Sequence, residues 1–82
     1  MSEIEQKVNE TIYCVMKDKI TREQILPSIN LVTDLHAESI ELMEIFLTLM
    51  SDFDIEFDQT ILANTKNLND LYGYIDTLLK NK

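Results

Sequence analysis

The chain has 82 residues, of which 45% are hydrophobic and 27% charged, and its formal net charge at pH 7 is −8. A chain of this length forms one small domain that buries only about two-thirds of its unfolded surface, which leaves little room for an enclosed catalytic site. The negative charge repels phosphates and excludes nucleic acid as a natural partner, whereas it favours basic protein surfaces.

The first predicted element is a helix over residues 3–17, with the sequence EIEQKVNETIYCVMK. Acidic residues come early in it, and Lys17 and Lys19 come late, as the helix dipole favours. Cys14 lies off the apolar stripe and has no base at a useful spacing, so an inert or packed thiol is predicted. Apolar residues at spacings of three and four form the stripe: Ile4, Val8, Ile12, Val15 and Met16.

A long connection follows over residues 18–38 and contains the only proline, Pro27. Loops of this length in a small domain are usually functional or disordered. Apolar anchors recur through this one, so we predict an ordered loop with a helical turn near residues 22–26. The anchors are Ile20, Ile25, Leu26, Ile29, Leu31 and Leu35.

The second helix is predicted over residues 39–51 and is apolar over an unusually wide arc of about 200°. Its core face consists of Leu42, Ile45, Phe46, Leu49 and Phe53. A second stripe beside that face consists of Ile40, Met43, Leu47 and Met50, with Glu41 and Glu44 on the remaining side. The second stripe either packs under the long loop or stays exposed and docks a partner with an apolar groove and basic residues around it.

The remaining elements complete a small bundle. FDIEF at residues 53–57 alternates like a short extended segment with its phenylalanines inward, and QTILAN at residues 59–64 allows one or two helical turns. The last helix is predicted over residues 68–80, with Asn67 as its N-cap and Asp70 in its first turn. Its apolar face consists of Leu68, Leu71, Tyr72, Ile75, Leu78 and Leu79. The fold class is therefore all-α, a small four-helix bundle with three main helices, one short helix and a long ordered first loop.

The numbers of Gly, Pro and Cys residues limit the fold class and the cellular compartment of the protein. One Gly and one Pro are too few for the turns of an all-β sandwich or barrel. Cys14 is the only cysteine, so an internal disulfide is impossible and a reducing compartment is favoured. The N-terminal stretch MSEIEQKV is too polar for a signal peptide, and no apolar run is long enough to span a membrane. We therefore expect a cytoplasmic domain without a membrane span.

Motifs for catalysis and for metal binding both fail. A serine nucleophile needs a base and an oxyanion hole, but the only histidine is His36 and no Gly-x-Ser-x-Gly surrounds Ser39. We expect His36 to be a solvent-facing loop residue. DFDIEFD at residues 52–58 begins like a calcium loop, but Phe57 and Ala63 stand where that loop requires Gly and Glu. Neither an enzyme nor a specific metal site is predicted.

Ser39 stands where the second helix begins, and two roles are open to it. Serine is a favoured N-cap, so the residue could simply start the helix. Alternatively, its hydroxyl is presented to a second protein for modification, since it follows a loop and precedes an apolar stripe. A phosphate-bearing group attached there would lie at the positive end of the helix.

The string DLHAESIEL at residues 34–42 resembles the Asp-Leu-Gly-Ala-Asp-Ser-Leu signature of acyl carrier proteins. The similarity continues through ITREQILPSINLVTDL, FDIEF and NTKNLNDLYGYIDTLL, so it covers nearly the whole chain as a single carrier domain over residues 1–82. It implies that Ser39 receives 4′-phosphopantetheine from coenzyme A through a separate Mg²⁺-dependent transferase. The thiol of that arm would carry an acyl group as a thioester, and the domain would be a shuttle rather than an enzyme.

The resemblance also implies two sets of site residues. One set would meet the phosphopantetheinyl transferase and acyl-transferring or synthase enzymes with basic docking surfaces: Glu38, Ile40, Glu41, Met43, Glu44 and Leu47. The other would shelter the acyl chain between the helices: Leu42, Phe46, Leu49, Phe53 and Phe57. We expect a monomer that serves these partners.

The chain departs from the family pattern in ways that bear on its pathway. His36 replaces Gly and Glu38 replaces Asp beside the serine, while Phe46 and Phe57 are bulkier than usual. Late in the second helix, Met50 and Ser51 stand where fatty-acid carriers often have acids. Attachment is still expected, in fatty-acid or in specialised lipid or secondary-metabolite biosynthesis. The alternatives are an aminoacyl or peptidyl carrier, which the charge of −8 disfavours, and an unmodified helical adaptor between proteins.

Overall fold

A computed structural model of the chain describes residues 3–81, apart from the side chains of residues 61 and 62. The helices are α1 (Glu3–Met16), α2 (Ser39–Phe53), α3 (Gln59–Asn64) and α4 (Leu68–Lys80), and a 3₁₀ turn spans Arg22–Gln24. Residues 3–81 contain no strand. The prediction of an all-α fold with three main helices and one short helix is confirmed. The first two residues of the polar N-terminal stretch lie outside the described range.

The core forms where α1 packs against α2 and α4. Each long helix contributes the face that its apolar spacing predicts, because residues three and four apart share one side of a helix. Ile4 and Val15 are half-buried at the edge of this core. Its fully buried side chains are Val8, Ile12, Met16, Ile45, Leu49, Leu68, Leu71 and Ile75.

One predicted helix end is confirmed by the structure, and two others differ from the prediction. The Asn67 side chain accepts a hydrogen bond from the Asp70 amide at 3.0 Å, so the predicted N-cap of α4 is confirmed. α1 ends at Met16, and the two lysines at its end therefore lie beyond its last turn. α2 continues to Phe53, where Asp54 turns left-handed with φ 55. Phe53 is thus helical, and the non-helical segment begins at Asp54.

The first loop is ordered, and its backbone is hydrogen-bonded to the first turn of α4. The amide of Leu68 donates to the carbonyl of Ile29 at 3.0 Å, and that of Asn69 donates to the carbonyl of Pro27 at 2.9 Å. These bonds satisfy first-turn amides of α4 that have no partner within the helix. The predicted anchors that are buried are Ile20, Ile25, Leu31 and Leu35, with Ile29 packed against them.

The prediction that Leu26 anchors the loop is wrong, since its side chain is 51% exposed. Ile25 ends the 3₁₀ turn and is buried. Adjacent side chains diverge in such a turn, so the inward position of Ile25 leaves Leu26 facing outward. An apolar residue in a loop therefore identifies an anchor only when the path of the backbone is known.

Candidate functional site

Ser39 is the first residue of α2, and its side chain is exposed. The N-cap position belongs to Glu38, which has extended backbone angles of φ −84 and ψ 163. The interpretation of Ser39 as the N-cap is therefore wrong. Within residues 3–81, the Ser39 hydroxyl has no hydrogen-bond partner. The hydroxyl is thus not used in hydrogen bonds that hold the helix start. Because the side chain is exposed, a second protein can reach it.

The turn that precedes α2 is closed by two backbone hydrogen bonds. Ala37 donates its amide to the carbonyl of Leu31 at 2.9 Å, and His36 donates to that of Val32 at 3.1 Å. His36 has φ 59, and its side chain is exposed, as predicted. This position usually holds Gly, because a Cβ crowds the backbone in the left-handed conformation. His36 therefore occupies a position that favours glycine and adopts its conformation under strain.

Replacing His36 by Gly is expected to raise the free energy of unfolding by about 0.5–1 kcal/mol. Relief of the left-handed penalty is partly offset by the greater entropy of glycine in the unfolded chain. His36→Ala keeps the Cβ and should change stability by less than about 0.5 kcal/mol. Urea-unfolding midpoints of both variants measure this difference. A His36→Gly midpoint equal to that of wild type would contradict a net penalty for histidine in this turn.

A salt-bridged network joins the end of α1 to the start of α2. The Lys19 ammonium lies 2.9 Å from Glu41 Oε1 and 3.7 Å from Glu38 Oε1, and it donates to the His36 carbonyl at 3.2 Å. Glu41 Oε1 also accepts from the Glu38 amide at 2.8 Å. That amide, and then Lys19, lower the pKa of Glu41, while the bond to Glu41 raises the pKa of Lys19. Both groups are therefore charged at neutral pH.

The second apolar stripe of α2 is exposed over most of its length. Ile40 is 73% exposed, Met43 62% and Leu47 56%. Met50 is half-buried instead, and its sulfur accepts from the Phe57 amide at 3.4 Å. The interpretation that the stripe packs under the first loop is wrong for its first three residues, because the loop bonds to α4 and does not cover this side of α2.

Glu44 completes the exposed stripe. It lies one turn after Ile40 and beside Met43, so these residues share one side of α2. Its side chain is exposed and, within residues 3–81, has no ion-pair partner. Glu38 and Glu41 instead share Lys19. Of the three acids predicted to meet partners, Glu44 therefore has the carboxylate most available to a cation on another protein.

A cavity of about 320 Å³ opens between α2, the first loop and the segment that leads into α4. Leu42 and Phe46 line it from α2. Ser39, Leu42 and Phe46 follow one another at spacings of three and four, so they lie on one side of the helix. Seven residues of helix separate the serine from Phe46 by about 10 Å. A group attached to Ser39 would therefore have this cavity beside it.

The other residues predicted for an acyl-chain pocket lie behind or away from the cavity. Leu49 is fully buried between the helices, and Phe53 packs against the same core. Phe57 stacks edge-on against Phe46 with ring centroids 5.8 Å apart, and Tyr74 lies on its other side at 5.6 Å. Phe57 therefore supports the cavity wall through Phe46 instead of lining it.

Most of the cavity wall comes from residues that helical periodicity does not identify. They belong to residues 30–33 and 63–67, whereas Leu68 and Leu71 come from the predicted apolar face of α4. Asn30 shapes the first of these segments, because its side-chain oxygen accepts from the amides of Val32 and Thr33 at 2.8 and 3.0 Å. Its side-chain amide donates to the carbonyl of Lys66, which joins the two segments. An Asn whose side chain accepts bonds from the next amides is a recognisable local signal. Its bond to Lys66, 36 residues away, cannot be recognised in the sequence.

Three further features considered in the sequence are a metal site, the thiol of Cys14 and a membrane span. Within residues 3–81, no group of three or more His, Cys, Asp and Glu side chains is arranged to hold a metal ion. Cys14 has an exposed side chain, so its thiol is not packed. None of the helices in the described range combines the length and the apolar content required to cross a membrane.

Comparison with known proteins gives one family. The profile of the family described as "Phosphopantetheine attachment site" matches residues 3–75. The chain is 29% identical over 72 residues to an acyl carrier protein of Syntrophus aciditrophicus, an overlap that covers 88% of each chain. It is 32% identical over 63 residues to an acyl carrier protein of Syntrophobacter fumaroxidans, covering 77% of this chain and 74% of that one. A third acyl carrier protein, from Coprothermobacter proteolyticus, is 28% identical over 79 residues, which are 94% of this chain and 96% of the other.

Proposed function

The chain belongs to the phosphopantetheine-attachment family, and we propose that Ser39 is the residue to which its 4′-phosphopantetheine is joined, in a single carrier domain over residues 1–82. The cofactor of the family is attached covalently, and the domain is an acyl carrier rather than an enzyme. The observation that carries the assignment is the exposed Ser39 hydroxyl, free of hydrogen bonds to residues 3–81, at the first position of α2.

The surroundings of Ser39 suit a phosphodiester. α2 has 15 residues, and the positive end of its dipole favours a negative group at its first turn. Glu38 and Glu41 add negative charge nearby, and Lys19 lies within 4 Å of both and offsets part of it. The attached arm supplies a thiol that holds an acyl group as a thioester. Leu42 and Phe46 offer apolar surface to that acyl group on the same side of the helix.

Partner enzymes dock, in this proposal, on the exposed side of α2 formed by Ile40, Met43, Glu44 and Leu47, here called the docking face. Glu38 and Glu41 lie at its edge. An exposed apolar stripe with carboxylates suits a partner surface that has an apolar recess and Arg or Lys around it. Phosphopantetheinyl transferases and acyl-transferring or synthase enzymes with basic docking surfaces are the partners of this kind. The chain serves them as a monomer.

The cargo is an acyl chain of fatty-acid or of specialised lipid or secondary-metabolite biosynthesis. The apolar side chains that line the cavity from α2 support an acyl cargo over an aminoacyl one. The exposed, unpaired thiol of Cys14 suits a reducing compartment, and we place the carrier in the cytoplasm.

Incubation of the chain with coenzyme A, Mg²⁺ and a phosphopantetheinyl transferase tests the attachment. Intact-mass spectrometry should show a gain of one 4′-phosphopantetheinyl group, which fragmentation locates at residue 39. Subsequent loading with fatty acyl and with aminoacyl groups separates the two kinds of carrier. Persistent lack of any mass gain with several transferases would favour an unmodified adaptor instead.

Met43→Ala and Glu44→Lys are each expected to raise the KM of a partner enzyme for the carrier by about fivefold, with little change in kcat. Met43→Ala removes an apolar contact, and Glu44→Lys sets a positive charge against a basic partner surface, each at a cost of about 1 kcal/mol. Leu26→Ala and Glu56→Lys are the matched controls, because they change an exposed apolar residue and an exposed acid outside the docking face. Circular dichroism should be unchanged in all four. Wild-type KM values for both docking-face variants would place the docking site elsewhere.

A further inference from the structure

Lys19 contacts residues on both sides of Ser39. It lies three residues beyond the end of α1, and its ammonium reaches the carbonyl of His36, before the serine, and the carboxylate of Glu41, after it. Glu38, which directly precedes the serine, is held from two directions. Its carboxylate lies 3.7 Å from Lys19, and its amide donates to the Glu41 oxygen that Lys19 binds. Lys19, which follows α1, therefore contacts residues that come before and after Ser39 in the sequence.

The turn that Lys19 contacts is also the strained one. His36 has φ 59, a conformation that glycine adopts freely and that a residue with a Cβ adopts only under constraint. Lys19 donates to the carbonyl of this same residue at 3.2 Å and so fixes the peptide group between His36 and Ala37. With histidine in place of glycine, the turn has less intrinsic preference for its observed shape. Two backbone bonds close the turn, and the contact from Lys19 adds to them in keeping that shape populated.

We infer that Lys19 is a positioning residue for the modification of Ser39: it holds the turn over residues 36–38 so that the hydroxyl is presented in one orientation. This inference rests on the proposed attachment at Ser39. In that step the serine oxygen forms a bond to the phosphorus of the arm, and the pyrophosphate bond of coenzyme A breaks. Adenosine 3′,5′-bisphosphate is the leaving group, and the hydroxyl proton passes to the transferase. Lys19 touches none of these atoms. It raises the fraction of carrier molecules in which the hydroxyl is correctly placed.

Kinetics of arm transfer to four variants of the full chain test the inference, with intact-mass spectrometry as the readout. Lys19→Met is expected to lower kcat/KM for the carrier about fivefold, in proportion to the loss of the competent turn. Lys17→Met is the matched control, since it removes the same charge from an exposed lysine two residues away that has no ion-pair partner within residues 3–81. It should stay within about 1.5-fold of wild type, because a charge without a contact on this surface contributes little. Lys19→Arg keeps the donors and the charge and should recover most of the rate.

The fourth variant separates positioning from charge. In Lys19→Met combined with His36→Gly, the turn depends less on the contact from Lys19, so kcat/KM should return to within about twofold of wild type. Recovery in this double variant would support the inference. A slow Lys19→Met that His36→Gly does not rescue would overturn it in favour of a charge effect. Equal rates for Lys19→Met and Lys17→Met would also overturn it.

The same experiment distinguishes failure of this inference from failure of the proposed function. If wild type gains no arm, the attachment at Ser39 is wrong whatever Lys19 does. If wild type and Lys19→Met are modified equally fast, the attachment at Ser39 is supported and the positioning role of Lys19 is wrong. Circular dichroism and urea midpoints of each variant show that it is folded. Lys19 is an exposed residue, so its replacement should leave the fold intact.

Discussion

Ser39→Ala should abolish the mass gain from coenzyme A completely, because it removes the one oxygen that the proposed phosphodiester requires. The loss should not come from unfolding. Within residues 3–81 the hydroxyl makes no hydrogen bond, and alanine is a better helix former than serine by about 0.5 kcal/mol. The variant should therefore be at least as stable as wild type in urea while it stays unmodified over many times the reaction time of wild type.

Ser51→Ala is the matched control for this experiment. Ser51 is an exposed serine near the end of the same helix, so its replacement removes a similar hydroxyl from a different place. It should be modified at the wild-type rate. Attachment of the arm to Ser39→Ala, or its loss in Ser51→Ala, would contradict the assignment. Because the readout is a mass and not an activity, the result does not depend on knowing the acyl cargo or the partner enzyme.

Ile45→Ala should lower the free energy of unfolding by about 2–4 kcal/mol, whereas Leu47→Ala should lower it by less than about 0.5 kcal/mol. The two residues are similar in size and lie two positions apart on α2. Ile45 is 0% exposed in the core, while Leu47 is 56% exposed on the docking face. In a domain of this size each kcal/mol shifts the melting temperature by about 4–8 °C. Ile45→Ala should therefore melt about 8–30 °C below wild type.

Thermal unfolding followed by circular dichroism measures this pair, and each variant is the control for the other. The comparison decides which apolar stripe of α2 is the core and which is available to partners. Similar losses in both variants would mean that Leu47 is covered, and the docking face would then need to be reassigned. A loss in Ile45→Ala alone supports the exposed stripe and makes Leu47→Ala suitable for partner-binding experiments.

The helices and their buried faces could be predicted from the sequence, because a helix is a local structure. Val8 and Ile12, Ile45 and Leu49, and Leu71 and Ile75 recur at spacings of three and four, and that spacing alone places each pair on one face. The cap of α4 by Asn67 is equally local, since the bond to Asp70 spans three residues. The string around Ser39 is also contiguous, so its residues by themselves indicate the candidate site.

The tertiary structure decided what covers each surface and what surrounds the serine. Whether the second stripe of α2 is buried depends on the path of the first loop, which is bonded to the start of α4 through Ile29 and Pro27. The ion pair of Lys19 with Glu41 joins residues 22 positions apart, and the cavity wall combines segments about 30 residues apart. Spacing within a helix fixes side-chain directions at short range, whereas contacts across such separations depend on how loops close and elements pack, and no short window of sequence contains that information.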